Sequence, residues 1–329
     1  MMTITVETKI SALFEIPELQ PYSRYLIYGP NDDPANSWYG DYCIRDLAKI
    51  GWSAEGIVSG LNTILRAAAE QRVAQHFVYS DAECSDDPGK KAVNLIQISP
   101  EKPNDGKPFI ILCAGGGYTC VCTMVEALPT AKHFVDAGYT VFLMTYRVAV
   151  SKAAIKALDD LAAAVNWLGY NADRLGIDHT RYAVGGYSAG ANLISNWGCA
   201  HIGWKHYGAP KPICMFPIYT LIDLETESHR DEHGGLLPQM LGDEWPGLLS
   251  RYNVGDHIDA DYPPCYIVCG KDDVTVPCSN SELMKQRLDA AGVPSILEEG
   301  NHAAHGFGDG LGTDVEGWPE RAIRFVESL

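Results

Sequence analysis

Basic residues are scarce in this chain: 25 lysines and arginines stand against 42 aspartates and glutamates, a formal charge of −17 at pH 7. A polyanion would meet net repulsion, and no run of Lys and Arg reverses it locally. Nucleic acid and an anionic membrane surface are therefore not expected as partners. Long apolar runs are missing as well. No stretch approaches the roughly 18 apolar residues of a membrane span. The opening segment MMTITVETKISALFEIPELQ carries acidic residues and no basic start followed by an apolar block. It does not read as a signal peptide, and the cytoplasm is the expected location. Ten cysteines occur without any paired C-x-x-C, the one close pair being Cys120 and Cys122. A structural metal is not expected on that spacing, nor are disulfides in what reads as a reducing compartment. Several cysteines lie inside apolar runs (ILCAG, PICMF, YIVCG), where a thiol behaves as a small hydrophobe. Internal repeats and low-complexity tracts are absent too. With 46% hydrophobic and 20% charged residues, the composition is that of an ordinary globular protein.

The 329 residues suffice for one large α/β domain with extra segments, or for two modest domains. Residues 1–91 form an N-terminal extension with a loop rich in Tyr, Trp, Asn and Asp and one amphipathic helix. In that helix Ile57, Leu61, Ile64, Leu65 and Ala68 recur at helical spacing. Such a face must be buried, either on the rest of the chain or in a homo-oligomer contact. From residue 92 to 329 the pattern becomes strand, loop, helix, repeated. Strands are expected at 93–99, 109–114, 140–146, 181–187, 212–218, 263–270 and 295–299, and helices around 124–136, 153–171, 190–201, 279–291 and 318–328. Near-continuous apolar strands alternating with helices predict a doubly wound, mostly parallel sheet with helices on both faces. The polar segment at about 221–260 breaks the rhythm and reads as a lid or cap insertion.

Four short motifs carry the chemistry. Gly186-Tyr187-Ser188-Ala189-Gly190 lies between an expected strand and an expected helix. A sharp turn there pushes the Ser188 hydroxyl out at the sheet's edge, with the helix dipole aimed at it. A hydroxyl needs a base to take its proton and an acid to orient the base. Gly270-Lys271-Asp272-Asp273 follows an apolar strand and offers two carboxylates. Asp273, fourth in G-x-x-D and first in D-x-x-V-P, is favoured over Asp272, which would be a loop or helix-capping group. His302-Ala303-Ala304-His305-Gly306-Phe307 offers two imidazoles after the last strand, and His305, with glycine beside it, is favoured over His302. His229 and His233 in the lid are weaker candidates for substrate contact. Finally, Ala114-Gly115-Gly116-Gly117-Tyr118 presents backbone N–H groups with no side chain in the way. Gly116 and Gly117, with Ala189 after the nucleophile, are the expected oxyanion donors. A phosphate-binding loop is the competing reading, but neither G-x-x-x-x-G-K-[ST] nor G-x-G-x-x-G is present here.

Together, CAGGGYTCVCTMVEALPTAKHFVDAGYTVFLMTYRV, VGGYSAGANL, VCGKDDVTVP and HAAHGFG resemble the esterase/lipase branch of the α/β-hydrolase superfamily, in particular bacterial acetyl-esterase and acetyl-xylan-esterase-like proteins. The resemblance covers about residues 92–325. It implies an α/β-hydrolase fold, a serine acyl-enzyme mechanism, and neither metal nor organic cofactor. Ala114 departs from it, since many relatives carry His or Pro before the three glycines and such a His steadies the oxyanion loop. Tyr146-Arg147-Val148 and Asp160 also recur in such proteins, and Arg147 with Asp160 is expected to be a structural ion pair.

The activity expected is hydrolysis of short-chain, acetyl-like esters, including those of carbohydrates. Tyr118 and Tyr187 flank the two chemical loops and would narrow an acyl pocket. Trp245 in the lid and Trp38 or Tyr39 near the N-terminus would stack on sugar rings, or else pack a loop onto the core. The alternatives are a small serine peptidase, a lipase, and, from another class, a catalytically silent binding protein on the same scaffold. An extension of this size is too small for a propeller, and the lid is polar for a lipase.

Overall fold

The computed structural model describes residues 3–30, 40–102, 106–230 and 235–329. Eight strands form one sheet: β1 (Val73–Phe77), β2 (Asn94–Ile98), β3 (Phe109–Cys113), β4 (Val141–Thr145), β5 (Tyr182–Tyr187), β6 (Cys214–Ile218), β7 (Cys265–Gly270) and β8 (Ser295–Gly300). Their order is β1-β2-β4-β3-β5-β6-β7-β8. β1 pairs with β2, and β2 with β4, antiparallel, and every other pairing is parallel. Each residue of β3 through β7 is buried. That is why these strands read as unbroken apolar runs, since helices cover both sides of them. All seven expected strands are present within one or two residues of their bounds.

Helices Ala127–Asp136, Ala153–Tyr170, Ala189–Gly198, Ser279–Ala290 and Trp318–Ser328 also match the sequence reading. The amphipathic helix of the extension spans Ala54–Ala69, with Ser53 capping its first turn by accepting from the Gly56 N–H. Ile57, Leu61, Ile64 and Leu65 are buried, and the helix packs on Ala127–Asp136. The backbones approach so closely that a Cβ on Gly60 would lie 2.9 Å from the Leu128 carbonyl carbon. That apolar face is thus occupied by the chain's own core. Moreover, β1 lies within residues 1–91, so the boundary expected at 91/92 falls between adjacent strands of one sheet.

Two further ties bind the extension to the rest of the chain. Tyr28 and Val121 exchange backbone hydrogen bonds of 3.0 and 2.7 Å, and the Met124 N–H donates to the Leu26 carbonyl at 2.7 Å. Arg147 and Asp160 form the expected ion pair, buried at 5% and 0% side-chain exposure. The pair also recruits the extension: Arg147 Nη1 donates to Asp87 Oδ2 at 2.8 Å and the Tyr79 hydroxyl to Asp160 Oδ1 at 2.7 Å.

The lid segment contains helices Leu224–Arg230, Leu236–Leu241 and Trp245–Tyr252, none of them foreseen. Its base is pinned where Asn280 Oδ1 accepts from the N–H groups of Ile222 and Asp223, both at 3.0 Å. Trp38, Tyr39 and His233 lie outside the described residues. The expectation of free thiols throughout needs correction, because Cys269 and Cys278 are joined in a disulfide that closes the loop between β7 and the following helix. Among the described residues no helix is long and apolar enough to cross a membrane.

Candidate active site

Ser188 sits between β5 and helix Ala189–Gly198 with φ 52° and ψ −117°. A non-glycine residue at positive φ stores strain of about 1–3 kcal/mol, which the surroundings must enforce. They do so by leaving no room. A Cβ on Gly186 would lie 2.2 Å from the Gly190 carbonyl oxygen, and one on Gly190 would lie 2.0 Å from that of Cys113. Both motif glycines are therefore required for the helix to start directly against β3, and the turn presents the serine hydroxyl at the carboxyl edge of the sheet.

The loop after β8 brings His305 to that hydroxyl, with Nε2 2.9 Å from Ser188 Oγ. On its other side Nδ1 lies 2.7 Å from Asp273 Oδ2, on the loop after β7. The second carboxylate oxygen of Asp273 accepts from the N–H groups of Thr275 and Val276, both at 2.8 Å. This fixes the carboxylate and sets the tautomer: Nδ1–H donates to Asp273, leaving Nε2 to accept the serine proton. Asp272 does something different, accepting from the Ala303 N–H at 2.8 Å and so bracing the histidine loop. His302 is exposed, and its backbone N–H donates to Asp314. The geometry thus brings together Ser188, His305 and Asp273 and leaves both rivals outside.

The glycine loop lies beside the serine. Gly116 and Gly117 both have positive φ, at 129° and 59°. Ala189 is the first residue of its helix, where N–H groups have no intrahelical acceptor. Gly117, Ala189 and Ser188 line one cavity of about 210 Å³, whose other walls include Tyr118, Asn192, Leu221, Glu227, Leu236 and Met240. The lid segment is polar overall, yet it turns Leu236 and Met240 inward. Tyr118 is held by its hydroxyl donating to Asn192 Oδ1 at 2.8 Å. Tyr187 and Trp245 are not among the walls. Tyr187 precedes the turn, so strand alternation points it away from Ser188 and against Tyr219, with ring centroids 6.1 Å apart. Trp245 is partly buried against the core at the start of its helix. His229 is not a wall residue either.

Three residues near the reacting groups were not foreseen. Asn192, one helical turn after Ser188, could have been found as a polar residue on the same helix face as Ser188. Glu126 is buried beneath the glycine loop, where burial pushes its carboxyl upward and the Gly115 N–H and the neighbouring His305 and Tyr219 pull it back. A carboxylate inside the apolar run CVCTMVEALPTA was its only signal. Tyr219, following β6, gave none, since a tyrosine at the end of an apolar strand reads as core.

A mostly parallel sheet in this order, with the serine turn after β5, the carboxylate after β7 and the imidazole after β8, defines an α/β-hydrolase fold. Within that class the chain belongs to the BD-FAE family, whose model matches residues 96–288. It is similar to endo-1,4-beta-xylanase B of Butyrivibrio fibrisolvens, 25% identical over 195 residues, which are 56% of this chain and 30% of that protein. It is also similar to carboxylesterase NlhH of Mycobacterium tuberculosis (strain CDC 1551 / Oshkosh), 34% identical over 94 residues, 29% of this chain and 30% of that protein. The chain thus spans less than a third of the length of these two relatives. Among solved structures, an acetyl ester-xyloside bifunctional hydrolase from Caldicellulosiruptor lactoaceticus superposes with a TM-score of 0.64 at 26% identity, over 78% of this chain and 96% of that one.

Proposed function

We propose that the chain is a serine carboxylesterase acting on short acyl esters through an acyl-enzyme. The observation that carries this reading is the unbroken relay from the Ser188 hydroxyl through His305 to Asp273, at 2.9 and 2.7 Å. Ser188 Oγ attacks the ester carbonyl as His305 takes its proton, and Asp273 stabilises the imidazolium. The N–H groups of Gly116, Gly117 and Ala189 hold the oxyanion. The tetrahedral adduct collapses, and the alcohol leaves with the proton from His305. Water, deprotonated by the same imidazole, then releases the acid and restores the serine. Each step uses only these side chains, backbone donors and water.

The cavity supports a small acyl group, since about 210 Å³ is below the roughly 300–1,000 Å³ of pockets that hold drug-sized ligands. The relatives point to carbohydrate acetates in particular. One is named a xylanase and another an acetyl ester-xyloside hydrolase. The Cys269–Cys278 disulfide is of a kind that persists in oxidising compartments, so the cytoplasmic location expected from the sequence gains no support from it. The test is a series of acetyl, butyryl and octanoyl esters. Rates should fall with acyl length, and Ser188→Ala should lose roughly 10⁶-fold in kcat while folding normally. Preference for the longest ester would remove the short-acyl reading, and a Ser188→Ala variant within tenfold of wild type would remove the esterase reading.

A further inference from the structure

Two consecutive glycines at positive φ make a loop with little stiffness of its own, yet oxyanion donors must be in place before the charge develops. Ala114, the residue before the glycines, has no polar side chain to hold them. The structure supplies the restraint from below. Glu126 stands at the start of helix Ala127–Asp136 but does not cap it. Its side chain turns inward, with the residue only 4% exposed. Oε2 accepts from the Gly115 N–H at 2.5 Å, and Oε1 accepts from the Tyr219 hydroxyl at 3.0 Å. The Tyr219 ring lies against the His305 imidazole, with centroids 4.7 Å apart, and against Phe307 at the same distance. Tyr219 is itself fixed, its N–H donating to the Val268 carbonyl at 2.8 Å. The margin for movement of Gly115 is small, since a Cβ there would lie 2.6 Å from the Tyr187 carbonyl oxygen and 2.8 Å from Ser188 Cβ.

We propose that Glu126 is a positioning residue that couples the oxyanion loop to the catalytic base, holding Gly115 with one oxygen and Tyr219, and through it His305, with the other. The inference rests on the serine-nucleophile reading of the site. Glu126 is buried and is not among the walls of the cavity, so its contribution belongs to the transition state and not to ground-state binding.

Glu126→Gln keeps the shape but replaces one acceptor by an N–H₂ group, so one of the two donors loses its partner. Tyr219→Phe keeps the ring on His305 and removes only the hydroxyl, which guards against a Glu126 variant that fails to fold. The measurements are kcat and KM on an acetyl ester, affinity for a boronic acid that forms a tetrahedral adduct, and the rate at which a fluorophosphonate labels Ser188. For Glu126→Gln, kcat should fall roughly tenfold to a hundredfold with KM within about threefold. Boronate affinity and labelling rate should fall in step, and Tyr219→Phe should show the same pattern more weakly. Unchanged kcat and labelling rate in both variants would overturn the proposal, as would a rise in KM at constant kcat. The labelling rate needs no ester turnover. A wild type that labels at Ser188 without hydrolysing esters would therefore sink the substrate reading while the Glu126 comparison is still decided. A wild type that does not label at all would overturn both.

Discussion

Nε2 of His305 lies 2.9 Å from Oγ of Ser188, although 117 positions separate them in the chain. That distance depends on two loops at the carboxyl edge of the sheet, and on the Asp273 carboxylate that orients the imidazole. Asp273→Asn should keep the fold and lose about 10⁴-fold in kcat, because the amide favours the wrong tautomer. Asp272→Asn retains an oxygen for the Ala303 N–H and should stay within about tenfold of wild type. Steady-state kinetics on the two variants decide between the carboxylates, and the reverse ranking would contradict the assignment.

Acyl length should be set by the inner face of the lid. Met240 is buried and lines the cavity. Met240→Ala should raise the octanoyl-to-acetyl ratio of kcat/KM by about tenfold, the scale of discrimination of one methylene or so. It should also cost about 2–5 kcal/mol of stability as a core truncation. An unchanged ratio would show that the longer chain leaves the cavity by another route.

The disulfide between Cys269 and Cys278 closes the loop that carries Asp273. A cross-link over so short a loop contributes about 2–3 kcal/mol in the chain-entropy account. Cys278→Ser should lower the thermal midpoint by a corresponding amount. Reductant should lower that of the wild type similarly and leave the variant unmoved. A wild type insensitive to reductant would contradict a stabilising bond.

Stability should also carry a signature of His133, which joins helix Ala127–Asp136 to the C-terminal region. Burial lowers its tendency to protonate, but hydrogen bonds to the carboxylates of Asp309 and Glu320 outweigh this and raise it overall. A folded value above the unfolded one of about 6.5 stabilises fully below that pH and fades as pH rises through the folded value. His133→Gln should therefore lose most stability near about pH 5 and progressively less on the alkaline side. Thermal melts across pH measure this, and a deficit that grows with pH would reverse the sign.

Strands β3 to β7 were legible because each is a largely apolar run bounded by turn residues, and burial on both faces is what makes such a run. β1 escaped because Val73–Phe77 is only partly buried at the sheet's edge, mixing polar and apolar residues. The lid helices escaped for their brevity. Ser188, Asp273 and His305 could be found because strict local geometry forces particular neighbours on them: glycines around the turn, a strand before each loop. Glu126 and Tyr219 have no such neighbours, and their relation to Gly115 and His305 arises only when three separate segments meet. Tyr187 misled for the opposite reason, since adjacency in sequence to Ser188 places it on the other side of the strand. Cys269 and Cys278 read as isolated thiols because a turn, not a motif, brings them together.

The most direct test is to react the protein with a fluorophosphonate and map the modified peptide. Modification of Ser188, absent in Ser188→Ala and strongly slowed in His305→Ala, is the result expected of a serine activated by that imidazole. Modification at another residue, or equal rates in wild type and His305→Ala, would contradict it.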